Sequence, residues 1–487
     1  MSRLIATQLI PRPIDDVFDF FSRPRNLHRL TPSAMGFEYL TDDDRMRAGL
    51  EIGYRIRPLF GIPIGWLTRI TEFDPPHGFR DVQLRGPYRR WEHVHRFESV
   101  EGGTLVHDEV QYEVPGGPVG AVLNRLVIRN ELQWIFLYRS WAICAALADA
   151  GAPTGRTVAV AGGTGFVGGA IAAELRRRGD RVVVLSHRGE QARGPLPDDV
   201  EIRRADARTG EGLAEGLRDV DALVVALAFK NLPMESPSRH QTFAEVDAGG
   251  TDHLVAAARE SGVGRIVYLS GAGASPDAKR SWFRTKWRAE TAVRDSGIAS
   301  TIIRPTWIFG PRDVSLNRFV GFARRLPVVP LTNMGGQLLA PVYIEDTAAL
   351  AADALSDAAA VDQVLELGGP ETYPMREIIR TALRVAGLPR PIIPGPTPLL
   401  KLGAWPLRLL PEPPLTPDAI DFINQPATVD IGPLLARMPR RLTPLEEGLR
   451  AYLEPAHGMA IAMNGDGDSS EVDQVAEPST AKGVSTQ

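Results

Sequence analysis

Three glycines have the spacing of a turn that binds phosphate groups. Gly162, Gly165 and Gly168 follow an apolar run at residues 158–161 and precede a helical pattern that ends near residue 178. Glycine permits a tight turn and lets pyrophosphate approach the backbone closely, and a helix N-terminus adds amide donors. The turn therefore predicts a dinucleotide site with these candidate contacts: Gly162, Gly163, Thr164, Gly165, Phe166, Val167 and Gly168.

The end of the next apolar run indicates which dinucleotide the turn binds. Residues 181–185 are followed by Ser186, His187 and Arg188, at the point where an NAD-specific site carries an acid for the ribose hydroxyls. An arginine there favours a 2′-phosphate, so we expect NADP(H) in preference to NAD(H), with His187 and Arg188 as contacts. The alternative is that Arg188 is an ordinary exposed arginine.

The elements around this turn alternate between short apolar strands and helices. The strand patterns lie at residues 157–161, 181–185, 222–226 and 265–269, and helical patterns lie at 168–178 and 253–261. Repeated β-α-β units produce a parallel sheet with helices on both faces. This part of the chain is therefore predicted to be an α/β Rossmann domain with a doubly wound parallel sheet.

The N-terminal part has a different pattern. Its segments alternate apolar and polar residues, which is typical of an antiparallel sheet with one solvated face, and they lie at residues 37–41, 51–57, 66–73, 90–97 and 104–114. Two helical patterns accompany them, at residues 13–21 and 119–147. The combination predicts an α+β domain in which a curved sheet wraps around a long helix.

Small and turn-forming residues at 148–156 separate the two patterns. We therefore expect domains at residues 1–149 and 150–456. From residue 457 to 487 the apolar periodicity is lost, which predicts a disordered tail.

Composition excludes several classes of partner and location. A net charge of −4 over 487 residues, without a basic stripe, excludes an electrostatic nucleic-acid binder. The single cysteine, Cys144, cannot form an internal disulfide and is predicted to be buried. With neither a signal peptide nor an apolar stretch of membrane-spanning length, a cytoplasmic location is expected. The apolar, proline-rich residues 391–415 leave peripheral membrane contact open.

From about residue 156 to 453 the chain resembles extended and atypical short-chain dehydrogenases of the NAD-dependent epimerase/dehydratase superfamily. The resemblance rests on the glycine spacing and on segments further along the chain. It implies that Asp206 contacts adenine, that Leu227 and Ala228 end a strand beneath the cofactor, and that Pro305 lies near the nicotinamide. Residues 414–421 and 442–449 resemble the accessory NAD(P)H-binding subunit of respiratory complex I, whose relatives can hold the cofactor without evident turnover.

The same family uses a Tyr-x-x-x-Lys pair for acid/base chemistry, in which the lysine also binds the nicotinamide ribose. Here the pair reads Trp282-Phe-Arg-Thr-Lys286, so Lys286 is retained and an indole replaces the phenol. An indole cannot exchange the proton. The resemblance implies a catalytic role for Lys286, with Ser270 and Tyr343 as alternative donors, although a structural role is favoured for Tyr343.

Residues 3 to about 147 resemble the START-like (SRPBCC) superfamily, which includes polyketide cyclases. The matching segments are residues 13–21, 91–97, 102–104, 108–112 and 138–139. The resemblance implies a helix-grip fold that encloses an apolar cavity. His93 and His95 project from one strand face, but no further ligand lies at a plausible spacing, so we predict no metal and interpret them as polar residues lining the cavity.

Two functional hypotheses follow. The first is an NAD(P)H-dependent oxidoreductase or epimerase-like enzyme that acts on a hydrophobic small molecule with help from the N-terminal cavity. The second is a non-catalytic regulatory or structural protein that binds NADP(H), because Trp282 replaces the family tyrosine. A lipid carrier with a Rossmann scaffold is a weaker third reading, against which the intact glycine turn and Lys286 argue.

Overall fold

The computed structural model describes residues 1–32, 35–59, 62–229, 234–410, 415–455 and 458–464. The chain divides into two compact units. The first unit contains Met1–Leu147 together with the segment from Glu454 onward, and the second unit contains Ala148–Leu453.

Among the described residues, the first unit has seven strands and three α-helices before the chain enters the second unit. They are β1 (Ser2–Ile10), α1 (Ile14–Phe21), β2 (Glu38–Tyr39), β3 (Glu51–Leu59), β4 (Ile62–Asp74), β5 (Gly78–Arg85), β6 (Arg90–Val100), β7 (Gly103–Glu113), α2 (Gly117–Leu123) and α3 (Arg129–Ala146).

The remaining elements belong to the second unit, except the last of them, β21, which returns to the first unit. They are β8 (Thr157–Ala161), α4 (Phe166–Arg177), β9 (Arg181–Ser186), β10 (Glu201–Arg204), α5 (Leu213–Gly216), β11 (Ala222–Val225), α6 (Gly250–Glu260), β12 (Arg265–Leu269), α7 (Ser281–Arg294), β13 (Ala299–Pro305), β14 (Ile308–Phe309), α8 (Leu316–Arg325), β15 (Val329–Thr332), β16 (Leu338–Leu339), β17 (Val342–Tyr343), α9 (Ile344–Ala354), β18 (Gln363–Leu367), β19 (Tyr373–Pro374), α10 (Met375–Val385), β20 (Ile392–Gly395), α11 (Thr397–Ala404), α12 (Pro417–Ile423), α13 (Gly432–Arg437), α14 (Leu445–Leu453) and β21 (Met459–Asn464).

The sheet of the first unit is antiparallel, with the strand order β2-β3-β4-β5-β6-β7-β1-β21. A π-helical segment, Asn124–Ile128, joins α2 to α3, so the predicted long helix is present. Helix α1 turns Val17, Phe18, Phe20 and Phe21 inward. The antiparallel sheet with its helices confirms the predicted helix-grip architecture.

Strand β21 corrects the expectation for the end of the chain. Its six residues pair antiparallel with β1, and Leu4 lies opposite Met463. Ala462 and Met463 are buried. The prediction of disorder from residue 457 is therefore wrong for Met459–Asn464, and residues 465–487 lie outside the described part of the chain.

The sheet of the second unit has seven parallel strands in the order β10-β9-β8-β11-β12-β13-β18. Strand order reverses between β8 and β11, and ligands of open parallel sheets bind at the carboxyl edge of such a switch point. Strands β8, β11 and β12 are buried on both faces, as a sheet covered by helices requires. The predicted doubly wound Rossmann fold is confirmed.

A second lobe of this unit is built on α8, α10 and α14, around a core that includes Phe309, Tyr343 and Leu449. The apolar, proline-rich segment at residues 391–415 has exposed side chains at Leu399, Leu402, Trp405 and Leu409. Among the described residues, none of the helices is both long and apolar enough to span a bilayer.

Strand β21 should contribute measurably to the stability of the first unit. Met463 is 5% exposed, and truncating a buried methionine to alanine typically costs about 2–5 kcal/mol. We expect Met463→Ala to lower the free energy of unfolding of the first unit by that order. The half-buried Met459 on the same strand is the control, because Met459→Ala should cost less. Chemical denaturation monitored by tryptophan fluorescence measures both, and equal small effects would contradict the role given to β21.

Candidate functional site

The predicted glycine turn connects β8 to α4, and its geometry requires glycine. Gly162 has φ +82°, and a Cβ built there would lie 2.2 Å from the carbonyl oxygen of Ala226. At Gly168 a Cβ would lie 2.4 Å from the carbonyl oxygen of Gly162, and at Gly163 it would lie 2.7 Å from Val184. Gly165 caps α4, so the first amides of the helix face the turn. This cradle fits a dinucleotide pyrophosphate.

The other predicted turn residues have different surroundings. Phe166 and Val167 begin α4 and pack against the core of the second lobe. The carbonyl oxygens of Thr164 and Gly165 each accept a hydrogen bond from the Arg312 guanidinium, at 3.1 Å. Arg312 lies almost 150 residues further along the chain, so no local pattern could reveal it. Its positive charge beside the turn adds to the favourable field for phosphate.

The residues predicted to select the dinucleotide lie after β9 and β10. His187 and Arg188 are exposed, and the Arg188 amide donates to Ser186 Oγ at 3.3 Å. Asp206 forms a two-pronged pair with Arg208, at 3.0 and 2.6 Å, and this hydrogen bonding lowers the pKa of Asp206. Burial and the nearby Arg208 lower the pKa of His187. Arg208 is a second arginine at this position that sequence reasoning missed.

Leu227, Ala228 and Pro305 lie at the same carboxyl edge of the sheet. Leu227 and Ala228 follow β11, with Leu227 half-buried and Ala228 exposed. Pro305 ends β13 and is buried, and its carbonyl oxygen accepts a hydrogen bond from the Ala272 amide at 2.9 Å. The structure therefore brings these residues to the edge that carries the glycine turn.

Lys286 lies on α7 and points its ammonium group into a buried polar site. The ammonium is 2.7 Å from Asp247 Oδ1 and 3.2 Å from the Leu269 carbonyl oxygen. It also lies 5.3 Å from the centre of the Tyr268 ring. Burial alone would lower the pKa of Lys286, but Asp247 and Tyr268 outweigh it and raise that pKa, so the ammonium is charged at neutral pH. Asp247 and Tyr268 were not identified from the sequence.

Ser270 does not face the Lys286 ammonium. Its hydroxyl donates to Glu290 Oε1 at 2.5 Å, and Glu290 is completely buried. Arg304 binds the same carboxylate through both oxygens, at 2.8 and 2.7 Å. This geometry gives Ser270 a place in a buried ionic network beneath the edge of the sheet.

Tyr343 lies in the core of the second lobe, where its ring centre is 5.4 Å from that of Phe309. Burial raises the pKa of its phenol, followed by the effects of Glu345 and Asp346. A buried phenol in an apolar core is a poor proton donor for a substrate at the sheet edge. The location agrees with the structural role favoured for this residue.

Trp282, at the position of the family tyrosine, belongs to an aromatic cluster. Its ring centre lies 6.1 Å from that of Phe243 and 5.4 Å from that of Phe422. Its indole nitrogen is buried and has no hydrogen-bond partner among the described residues. Trp282 and Lys286 are one helical turn apart on α7 and share a face.

The first unit contains a separate polar cluster on the inner face of its sheet. His93 Nε2 and His95 Nδ1 lie 3.1 and 2.5 Å from Asp108 Oδ1. Asp81 Oδ2 lies 3.9 Å from His93 Nδ1 and 3.8 Å from His95 Nε2. The argument that no third ligand accompanies the two histidines is therefore wrong, because antiparallel pairing places Asp81 of β5 directly opposite His93.

The electrostatics of this cluster follow from its burial. Burial lowers the pKa of His95 to about 3, so its ring is neutral at pH 7. Burial alone would raise the pKa of Asp108, but Arg139 and the two histidines hold it well below its usual value. Arg139 Nη2 lies 3.4 Å from Asp108 Oδ1.

Two further observations concern the first unit. A small pocket lies between β1, β7 and α3, lined by residues that include Asp108, Phe136, Arg139 and Ile143. It is much smaller than typical ligand pockets of roughly 300–1,000 Å³. The burial predicted for Cys144 is wrong: its side chain is exposed, and its sulfur accepts a hydrogen bond from Gln8 at 3.2 Å.

Comparison with protein families identifies both units. Residues 162–318 match a family model described as NAD(P)H-binding, and residues 10–135 match one described as polyketide cyclase/dehydrase and lipid transport. Both resemblances stated from the sequence are confirmed. The second unit is thus an NAD(P)H-binding domain, and the first is a polyketide cyclase-like domain.

Individual relatives match the second unit. The chain is 30% identical over 332 residues to 2-alkyl-3-oxoalkanoate reductase of Stenotrophomonas maltophilia, covering 60% of this chain and 97% of that protein. Ceramide reductase of Caulobacter vibrioides is 28% identical over 250 residues, with 51% and 76% covered. A mitochondrial NADH dehydrogenase [ubiquinone] 1 alpha subcomplex subunit 9 of Arabidopsis thaliana is 28% identical over 253 residues, 49% of this chain. That match spans only 62% of the plant protein.

This chain belongs to the NAD(P)H-binding, short-chain dehydrogenase and epimerase-like family that includes the 2-alkyl-3-oxoalkanoate reductase. In this chain the family domain is joined to a polyketide cyclase-like domain.

The glycine turn yields a direct test of the cofactor site. Gly168→Ala would place a methyl group 2.4 Å from the Gly162 carbonyl oxygen, so the turn must open. We expect NADPH affinity to fall by more than about tenfold, which corresponds to roughly 1.4 kcal/mol. Calorimetric titration of the full-length chain measures it.

Gly264→Ala is the control for that test. A Cβ at Gly264 would make only an ordinary contact, at 3.7 Å from the Asp221 carbonyl oxygen. NADPH binding should be unchanged in this variant. Unchanged binding in Gly168→Ala as well would show that the dinucleotide does not use this turn.

Proposed function

We propose that this protein is an NADP(H)-dependent reductase that converts the oxo group of an apolar acyl compound to a hydroxyl group. The observation that carries the proposal is that the glycine turn and the buried Lys286–Asp247 pair belong to one sheet edge. The coverage of a 2-alkyl-3-oxoalkanoate reductase over 97% of its length supports the same class of reaction.

Different residues are proposed to bind different parts of the cofactor. The turn from Gly162 to Gly168 and the start of α4 hold the pyrophosphate, and Arg312 adds positive charge. Asp206 is proposed to contact the adenine, Leu227 and Ala228 to lie beneath the cofactor, and Pro305 to lie near the nicotinamide. The ammonium group of Lys286 holds the nicotinamide ribose.

When bound, NADPH supplies a hydride for the carbonyl carbon of the substrate. Lys286 remains protonated at neutral pH, so it can orient hydroxyl groups and stabilise negative charge that develops on the substrate oxygen. The indole N–H of Trp282 can donate a hydrogen bond to that oxygen but cannot release its proton. In this proposal the proton that completes the hydroxyl group comes from water.

A pocket in the second lobe is proposed to hold the acyl chain. Apart from Arg318 the lining of this pocket is mainly apolar: Phe319, Phe322, Pro330, Thr332, Leu400, Leu415, Ile420 and Ile423. Helix α12 supplies Ile420 and Ile423, and between them Phe422 contacts Trp282. Burial lowers the pKa of Arg318, whose nearby counter-charge is Asp313. A 3-oxo carboxylate would therefore meet apolar walls and one guanidinium group.

The first unit is proposed to bind an apolar small molecule, as the description of its family model suggests. Binding of labelled substrate to variants of the first unit and to variants of the second unit shows whether both units bind the same molecule.

Preference for NADPH over NADH is the first testable element. Arg188 is exposed at the end of β9, and an arginine–phosphate hydrogen bond is worth about 1.5–3 kcal/mol. Arg188→Ser should lower NADPH affinity by roughly tenfold or more and leave NADH affinity unchanged. Arg181→Ser, at the opposite end of β9, is the control and should change neither the NADPH affinity nor the NADH affinity. Equal affinities of the wild type for NADPH and NADH would contradict the preference.

Turnover is tested by NADPH oxidation with 2-alkyl-3-oxo carboxylates of increasing chain length. We expect oxidation, and we expect Arg318→Leu to raise KM for the carboxylates at least about tenfold, as loss of an ionic hydrogen bond implies. The same variant should show an unchanged KM for the corresponding methyl esters. Arg380→Leu, an exposed arginine paired with Glu377, serves as the control. Equal effects on acids and esters would remove Arg318 from carboxylate binding.

The second candidate is a protein that binds NADP(H) without turnover, which Trp282 favours. Tight NADPH binding without oxidation of any substrate would support it, and Trp282→Tyr would then be informative. If that variant gains turnover that the wild type lacks, the binding protein is the better description.

A further inference from the structure

The polar cluster of the first unit is organised by strand register. Pairing of β5 with β6 places Asp81 opposite His93, and pairing of β6 with β7 places Asp108 opposite His95. The two imidazole rings lie side by side, with centres 3.9 Å apart, between the two carboxylates. The fully paired sheet therefore fixes the relative positions of all four side chains.

The contacts with Asp108 use the ring nitrogens that are turned away from Asp81. His93 Nε2 donates to Asp108 Oδ1 at 3.1 Å, and His95 Nδ1 lies 2.5 Å from the same oxygen and 3.4 Å from Arg139 Nη2. The opposite nitrogens, His93 Nδ1 and His95 Nε2, face Asp81 Oδ2. These two nitrogens and the carboxylate oxygen are atom types that bind a metal ion.

The separations suit a metal ion better than hydrogen bonds. Asp81 Oδ2 lies 3.9 and 3.8 Å from the two nitrogens, which is too long for a hydrogen bond. Zinc binds such atoms at about 2.0–2.2 Å, so ligands at a tetrahedral angle lie about 3.4 Å apart. Shifts of about half an ångström would bring Asp81 Oδ2 to that distance from each of the two nitrogens. The three ligand atoms lie within 4.8 Å of one another.

Burial supports the same conclusion. The side chains of Asp81, His93 and His95 are only 15%, 9% and 5% exposed, so their polar atoms have little access to water and need a partner inside the protein.

We propose that Asp81, His93 and His95 bind a divalent transition-metal ion of the zinc type inside the polyketide cyclase-like unit. Asp108 lies behind both imidazoles, accepting a hydrogen bond from His93 Nε2 and lying 2.5 Å from His95 Nδ1, and a carboxylate behind the ring is the usual arrangement for metal-bound imidazoles. Thr68 Oγ1 donates to Asp81 Oδ1 at 2.8 Å and leaves Oδ2 for the metal. Three protein ligands leave one tetrahedral position for water or for an oxygen atom of a ligand in this unit.

The experiment uses the full-length chain without a histidine tag, stripped of metal by a chelator. Zn²⁺ is titrated calorimetrically against a competing chelator, and Co²⁺ reports geometry through its visible absorption. The wild type is expected to bind one Zn²⁺. Asp81→Asn should weaken binding more than about 100-fold, and the orienting variant Asp108→Asn should weaken it by about 10–100-fold.

His107→Gln is the matched control. His107 also lies on β7, but on the opposite face of the sheet from Asp108, so Zn²⁺ binding should be unchanged. Thermal unfolding of each variant without metal shows whether it folds. Zinc X-ray absorption of the wild type needs no variant and should show two imidazole nitrogens and no sulfur.

The possible results separate the proposal from its alternatives. Absence of Zn²⁺ uptake by the wild type would overturn it, as would equal affinity in Asp81→Asn and in a second ligand variant, His93→Gln. Sulfur in the absorption spectrum would place the ion at Cys144 and also overturn it. None of these results depends on whether the second unit reduces a substrate.

Discussion

Helix α7 is held by two buried ion pairs of opposite polarity, one turn apart. Lys286 reaches Asp247 in the segment before α6, and Glu290 receives Arg304 from β13. A buried charge that loses its partner is costly, by about 3–5 kcal/mol, so neither pair can open without the other elements moving. The helix therefore cannot slide along its axis, and the ammonium group of Lys286 is fixed at the edge of the sheet. The position of Trp282 follows from the same anchor, because it lies on the same face of the helix.

Local patterns in the sequence were sufficient for the parallel sheet and its glycine turn. Strands buried on both faces appear as short apolar runs, and a turn in which a Cβ would collide with backbone at Gly162 and Gly168 requires glycine there. Contacts between distant segments leave no such pattern. Arg312, Asp247 and Glu290 reach the site from other parts of the chain, and any of them could be an ordinary charged residue in the sequence. Site residues contributed by distant segments are thus harder to predict from the sequence than a local glycine turn.

The first unit shows why a strand and a polar residue that it carries can be missed together. Of the eight residues of β5, only Phe79 is buried, so the alternation that identifies a half-buried strand is absent. The strand carries Asp81 on its inner face, where an apolar residue would have strengthened the pattern. Because β5 was not predicted, Asp81 was not recognised as the residue opposite His93. For Cys144, burial was predicted from the apolar residues around it in the sequence, but the side chain is exposed. Those apolar residues belong to different faces of α3.

Strand β21 makes the second unit an insertion within the first. Both connections of the Rossmann domain lead to the polyketide cyclase-like domain, so one cut in either connection leaves the two domains covalently linked. During synthesis the outer edge of β1 stays unpaired until the ribosome has passed residue 464, after the whole Rossmann domain has been made. An unpaired edge is a template for pairing with other chains. Completion of the first domain is thereby coupled to translation of the second, although each has its own core.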